Sequence, residues 1–346
     1  MRPATPQELG RWDDLVVRNP DGGQILQTRA WGEFKRAHRW APRYLLSDQA
    51  PQVAVLVLCH SVPGLGVIEY VPKGPGVADV AQLPAVLDGL RATAGHAFAI
   101  KVEPEIEQSA AATSALRHMG LEKSRHDVQI SRATIIVDLR AEEDAMLASF
   151  KPKSRYNIRL AQRRGVTVVP VPLDDTSIDT MYALMVSTRD RAGFTLRSRE
   201  YFSQYWRLQA AAGQGQLFFA SLDGEVLAGV FATYIGKKAW YKDGGSTKEH
   251  AAVMAPHLLQ WEVMRWLRTR GVEAYDLVAV PPASELNPAH PLYGLYRFKS
   301  GFSERITEYV GTWDLPIRRR RFAAWNAVAE RAAHQWAFRV RHDLLY

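Results

Sequence analysis

The chain is poor in cysteine: Cys59 is the only one in 346 residues. That excludes an intrachain disulfide framework and a multi-cysteine zinc site, and it suits a reducing, cytoplasmic compartment. Long hydrophobic runs are missing too. The longest purely apolar stretch, Val53 to Cys59, falls far below the roughly 20 residues that cross a bilayer. The first 26 residues have no apolar signal core, being broken by Arg11, Asp13 and Asp14, so no export signal is expected. There is no GxSxG elbow, HExxH pair or Walker A loop, which removes support for three common hydrolase and nucleotide-binding classes. The histidines show no ligand-like pairing, and neither a metal nor an organic cofactor is expected. Gly213-Gln214-Gly215 has the outline of a phosphate loop for acetyl-CoA. However, Ala210 stands where that loop needs glutamine or arginine, Gln209 comes one residue too early, and a strand follows instead of a helix.

What is present is an ordinary globular composition, 47% hydrophobic and 23% charged, of a length that predicts about two domains. The net charge of +8 is unevenly placed, for residues 317–346 carry seven arginines against Glu330 and Asp343. Such a tail attracts nucleic acid, phosphorylated metabolites or an anionic membrane surface, or is simply a solvated helix face.

Strand and helix patterns alternate along the chain and predict an α/β (α+β) fold in two similar cycles. Residues 1–140 read as helices, strands, a helix and a closing strand. A second cycle over 141–312 opens with a helix over 142–150, interrupted by Pro152 and resumed over 153–164. Asp223-Gly224 predicts a hairpin between two strands. A last helix over about 318–342 places Phe322, Trp325, Ala329, Ala332, Trp336 and Val340 at helical spacing, and its aromatic face is expected to pack on the first domain, making residues 313–346 part of it.

Several short segments set a cation beside an aromatic. Lys35 follows Trp31 by four residues, on one helix face. Tyr70-Val71-Pro72-Lys73-Gly74-Pro75 closes a strand. Arg155, Arg159 and Arg163 form an i, i+4, i+8 stripe, and Arg197 and Tyr201 share a face. Tyr241 precedes Gly244-Gly245, and Lys299 stands between Phe298 and Phe302. Singly each has a bland reading: lysines among aromatics are usually snorkelling surface residues, and arginine stripes are usually solvated faces.

Their order carries more than any one of them. Gln27…Trp31…Lys35, the Tyr70–Pro75 loop, Lys101-Val102-Glu103-Pro104, Gln129…Asp138-Leu139, Arg155…Ile158…Ala161…Gly165, Tyr241…Gly244-Gly245-Ser246, Pro256…Leu259-Gln260-Trp261, Gly271…Tyr275-Asp276 and Phe298-Lys299…Phe302…Tyr309…Gly311 follow one another as in a known group. The sequence resembles, over residues 24 to 315, the FemABX family of non-ribosomal peptidyltransferases, which build the interpeptide bridges of bacterial peptidoglycan.

The resemblance implies two N-acetyltransferase (GNAT)-like domains facing across a cleft. It also implies transfer of an aminoacyl group from aminoacyl-tRNA to a side-chain amine of a UDP-linked or lipid-linked muramyl-pentapeptide. No heptad pair long enough for the family's coiled-coil arm occurs, so the chain looks like the compact, FemX-like type. By the same resemblance, Lys299, flanked by Phe298, is the catalytic lysine that stabilises an oxyanion, with Phe298 and Phe302 excluding water. Lys35, Arg197, Tyr201 and Tyr241 match positions that hold the precursor's phosphates, with Arg199 as a competing match to Arg197. Arg155, Arg159 and Arg163 are candidate tRNA contacts, as is the run Arg318 to Arg321, which alternatively meets the inner membrane face. The general base is either Asp243, whose other role is to cap the Gly244 turn, or the substrate itself. Aminolysis of an activated ester needs alignment and oxyanion stabilisation, so the missing nucleophile triad is consistent with it. Two other classes compete: an N-acyltransferase using an acyl-CoA, and a non-catalytic, basic tRNA-binding protein of the same fold.

Overall fold

A computed structural model describes residues 1–333 except 194 and 332, with only the backbone of 192, 328 and 329. The chain divides into two compact units, one comprising Met1–Arg132 with the segment from Glu308 onward, the other Ala133–Thr307. Each holds a seven-stranded mixed sheet. Among the described residues no helix is long and apolar enough to cross a membrane. The longest, of 18 residues, forms no coiled-coil arm.

The first sheet has the order β1-β2-β3-β4-β5-β14-β6. Its strands are β1 (Arg2–Pro3), β2 (Ala41–Leu46), β3 (Ala54–Val62), β4 (Gly66–Val71), β5 (Ala97–Val102), β6 (Glu122–Lys123) and β14 (Trp313–Pro316). The second has the order β13-β7-β12-β11-β10-β9-β8. It is built from β7 (Ala133–Asp138), β8 (Thr167–Val171), β9 (Gly215–Leu222), β10 (Glu225–Ile235), β11 (Lys238–Ser246), β12 (Ala274–Asp276) and β13 (Ile306–Glu308). Read from β1 and from β8, both sheets run through an antiparallel meander of four strands into one parallel neighbour, β4 with β5 and β11 with β12. A strand from outside the cycle then slots in beside it: β14 in the first sheet, β7 in the second. The sequence pattern assigns β7 to the first domain. Its pairing with β12, Tyr275 opposite Val137, moves the division to 132/133, and the later division falls at 307/308 rather than 312/313.

The helices are α1 (Pro6–Gly10), α2 (Trp12–Val17), α3 (Arg29–Ala37), α4 (Leu83–Thr93), α5 (Ala110–His118), α6 (Glu143–Ser149), α7 (Pro152–Arg163), α8 (Asp175–Ala192), α9 (Arg199–Ala211), α10 (Ala255–Arg268), α11 (Tyr293–Lys299) and α12 (Arg319–Ala324). Pro152 occupies the first turn of α7, where its missing N–H costs nothing. The β9–β10 hairpin turns on Asp223 and Gly224, both at positive φ, as a primed turn requires. α12 continues through Trp325–Ala329, and Phe322 and Trp325 are buried, Trp325 against Phe98. Ala332, Trp336 and Val340, expected on the same face, lie outside the described residues. Each unit has its own core. In the first, Leu87, Leu90, Ile100, Val102, Leu116 and Trp313 pack together. In the second, Val137, Phe150, Ile158, Trp261, Tyr275 and Phe302 do.

Two adjacent glycines near the end of β11 have separate reasons. Gly245 lets α8 approach the strand: a Cβ there would lie 2.5 Å from the carbonyl carbon of Leu184 and 2.6 Å from the Met185 nitrogen. Helix backbone does not yield as a flexible side chain does, so Gly245→Ala is expected to destabilise the protein by about 1–3 kcal/mol. Gly294→Ala, in open space on α11, is the control. Thermal unfolding checks this: the first variant melts lower than wild type and the second does not.

Candidate active site

The second unit's sheet splits. β11 and β12 pair in parallel only from Lys238/Ala274 to Trp240/Asp276, while β11 runs on to Ser246. After Asp276 the chain stays with β7 instead, Leu277 N donating to Ile135 O at 2.9 Å and Val280 N to Ala133 O at 3.0 Å. Tyr241 is therefore the first residue of β11 with no partner strand on that side.

Lys299, the last residue of α11, spans this split. It is buried, and its ammonium donates to the carbonyls of Val278 and Ala279 at 2.7 and 3.1 Å. On the other side it lies 5.6 Å from the centre of the Tyr241 ring. Two of its three N–H groups thus have acceptors among the described residues, and the third can meet a ligand oxygen. Val278 and Ala279 turn their carbonyls inward by adopting positive φ, 57° and 34°. That conformation strains a non-glycine residue by about 1–3 kcal/mol each. Asp276 holds the turn, accepting from Val278 N at 2.6 Å and from the Thr134 hydroxyl.

Burial pulls the Lys299 pKa down to about 7, opposed by the Asp276 charge. The two carbonyls also favour the ammonium form. Tyr241 is shifted the other way, burial and the Asp243 charge pushing its phenol up to about 12, so it is a hydroxyl donor and not a base. Gly244 makes room for it: a Cβ there would sit 2.1 Å from the Tyr241 hydroxyl oxygen. Behind it, Tyr275 donates to the buried Gln260 at 3.1 Å. Phe298, half-buried, packs edge-on against Phe302 and His257, ring centres 5.3 and 5.1 Å apart. The His257 ring contacts the Asn157 side chain at 3.1 Å, and burial drags its pKa to about 4, so it is neutral at pH 7.

The other expected phosphate contacts divide between the two units. Arg197 stacks on Tyr201, 4.3 Å from guanidinium carbon to ring centre, where Ser198 caps α9 and Tyr182 donates to the Arg197 carbonyl. Arg199 is held by Asp179 and Asp175 of α8. Lys35 belongs to the first unit, buried on α3 with its ammonium 5.4 Å over Trp31. Within the second unit the structure sets Tyr241 beside Lys299 and Arg197 beside Tyr201.

Asp243 faces away from Lys299. A bulge in β11 sets Asp243 opposite Phe231 but Tyr241 opposite Ala232, sending the two side chains to opposite faces of the sheet. Asp243 accepts from Trp206 of α9 at 2.8 Å, while Tyr241 lies by Gln260 of α10. Arg155 also departs from expectation. Its guanidinium donates to the carbonyls of Ala148 and Phe150 and closes the C-terminus of α6, so it leaves the stripe. In the tail, Arg318 and Arg321 donate to the carbonyls of Gly95 and Leu65.

One cluster had segments quoted from the sequence but no role assigned. In the first unit, Tyr70 donates to Glu103, Gln129 donates to the Tyr70 oxygen at 3.1 Å, and Thr312 donates to Glu103 at 2.6 Å. Lys73 lies 5.4 Å over Tyr309, and Lys73, Glu103, Gln129, Arg132 and Tyr309 share one small pocket. The signal was Lys73, Glu103, Gln129 and Tyr309 standing in four separate segments.

The FemAB family matches residues 13–223, well over half of the chain. The chain belongs to the FemAB family. A GNAT acetyltransferase domain also matches residues 148–300, the region that holds the split sheet and Lys299, and the chain is an acyltransferase. This FemAB protein is 24% identical to the lipid II:glycine glycyltransferase of Staphylococcus aureus, over 87% of its own length and 90% of the relative's. Its fold matches the crystal structure of FemX with a TM-score of 0.83 and 22% identity, covering 94% of this chain and 100% of that one. The C-terminal domain of a putative lysylphosphatidylglycerol synthetase from Agrobacterium fabrum shares the fold at a TM-score of 0.54 and 16% identity, covering 93% and 96%.

The geometry around Lys299 gives a titration with a defined sign. Removing the Asp276 charge withdraws a contribution that raises the lysine's pKa. In an NMR titration of ¹³C-labelled lysines, one resonance is expected to move near pH 7 in wild type and lower in Asp276→Asn. A Lys299 midpoint in the ordinary range near about 10 would contradict the burial described.

Proposed function

We propose that this protein transfers an aminoacyl group from aminoacyl-tRNA to the side-chain amine of a muramyl-pentapeptide, forming a peptidoglycan interpeptide bridge. The observation that carries the reading is the Lys299 ammonium set in the split between β11 and β12, with one N–H that has no acceptor among the described residues. The acceptor amine attacks the ester carbonyl, and negative charge develops on the carbonyl oxygen. Lys299 meets that oxygen with its third N–H in a site where low dielectric strengthens the interaction. Collapse breaks the ester C–O bond, and the ribose hydroxyl leaves with a proton. The oxyanion restores the affinity of Lys299 for its proton at the moment the charge is needed. Among the described residues of the second unit, Asp243 is turned away and Asp276 is engaged by the turn, so the substrate itself is the proposed base.

The strand-to-helix junction where an acyl-CoA pyrophosphate would meet a helix N-terminus, residues 247–254, contains no glycine. Within the second unit, Arg197 and Tyr201, a cation and a hydroxyl-bearing ring side by side, are the pair suited to a phosphate of the muropeptide. The lipid II activity in the name of the Staphylococcus aureus relatives favours the lipid-linked acceptor. Lipid II is assembled at the inner face of the membrane, so a cytoplasmic protein in peripheral contact with that face reaches it.

The test is transfer of labelled glycine, alanine or serine from charged tRNA to lipid-linked and UDP-linked muramyl-pentapeptide. Lys299→Ala is expected to lower turnover roughly a hundred- to a thousandfold with less effect on acceptor KM. Undiminished turnover in the variant would remove Lys299 from the mechanism, and no transfer to either acceptor by wild type would overturn the reading.

A further inference from the structure

Residues 145–173 contain six lysines and arginines and no acidic residue. Two of the six are engaged. Lys151 pairs with Glu304 at 3.0 Å, and Arg155 closes α6. The other four, Lys153, Arg159, Arg163 and Arg164, are exposed and have no ion pair among the described residues. α7 is amphipathic in an unusual sense. Ser154, Asn157, Ile158 and Ala161 are buried, Leu160 is half-buried, and Lys153, Tyr156, Arg159, Gln162 and Arg163 are exposed, so its outward face is cationic.

Within that face stands a large aromatic side chain. Tyr156 is 51% exposed, with the Lys153 ammonium 5.5 Å from its ring centre on one side and the Arg163 guanidinium 6.0 Å away on another. An exposed ring bracketed by cations is a stacking platform for a nucleobase whose flanking phosphates are neutralised at the same time. A membrane-surface helix presents several apolar side chains to insert among lipids. Here Ile158 and Ala161 face inward, Leu160 is half-buried, and the exposed neighbours of Tyr156 on the helix are Lys, Arg and Gln.

We propose that the outer face of α7 is the RNA-docking surface, with an unpaired base stacked on Tyr156 and phosphates held by Lys153, Arg159, Arg163 and Arg164. This rests on the aminoacyl-tRNA donor proposed above and adds the place and mode of its binding. It replaces the arginine triplet read from the sequence, since Arg155 drops out while Lys153, Tyr156 and Arg164 come in.

The experiment is fluorescence anisotropy with labelled, uncharged tRNA across a salt series, run in parallel with sedimentation on phosphatidylcholine–phosphatidylglycerol vesicles. Tyr156→Ala is expected to weaken tRNA binding about five- to a hundredfold with an unchanged salt slope, because stacking releases no counterion. Arg159→Gln/Arg163→Gln is expected to reduce the slope of log affinity against log salt by about 1.4, two phosphate contacts on a single strand. The variants alter exposed side chains, and an unchanged melting temperature verifies that each is folded. Wild type that binds tRNA while both variants bind equally well overturns this surface and leaves the donor standing. Variants that lose vesicle binding but keep tRNA overturn it in favour of a lipid headgroup surface. Wild type that binds no tRNA even at low salt overturns the donor, and this surface with it.

Discussion

Everything at the candidate active site depends on one buried amine held between two strands that have parted. A lysine side chain in a protein interior is costly unless its charge is met by hydrogen bonds. Lys299 is met by two carbonyls that only a left-handed turn at Val278 and Ala279 can aim at it. That turn in turn depends on Asp276, at the last paired position of β12. Split, strained turn and buried ammonium are therefore one device, and none of the three makes sense without the others.

The two sheets share their strand order, which makes their difference informative. In the first unit the parallel pair stays together to its end, Val71 opposite Val102, and Glu103 N then donates to Gly74 O at 2.8 Å to close the junction. In the second unit the corresponding pair opens after three residues. One sheet is closed at the position where the other is open. The unit with the closed sheet carries instead a network centred on Glu103, tied to Tyr70, Gln129 and Thr312. A duplicated fold can divide labour in this way, since strand order sets the scaffold and local pairing decides where chemistry fits.

Much of this was legible in the sequence. The Phe298-Lys299…Phe302 spacing announced a lysine between aromatics, Asp223-Gly224 announced a hairpin, and Pro152 announced the break between α6 and α7. What stayed hidden was set by pairing and by side-chain competition for backbone groups. β7 reads as any closing strand, and only its register with β12 places it in the second unit. The bulge in β11 shifts register by one residue and reverses Asp243, and nothing in Tyr241-Lys242-Asp243 signals it. Arg155 sits in the arginine stripe by spacing, yet the carbonyls left unpaired at the end of α6 claim it. The left-handed turn is the hardest case, because left-handed backbone is normally marked by glycine and here falls on valine and alanine.

The central claim is that the oxygen bearing negative charge in the transition state meets Lys299 in the split between β11 and β12. The most direct measurement is a crystal structure with a phosphonate analogue of the tetrahedral intermediate, joining an RNA 3′ end to the stem-peptide amine. The account predicts a phosphonate oxygen about 2.7–3.1 Å from Lys299 Nζ, with the Val278 and Ala279 carbonyls still holding the other two protons. An analogue bound elsewhere, with Lys299 closed off from it by Tyr241 and Phe298, would contradict it.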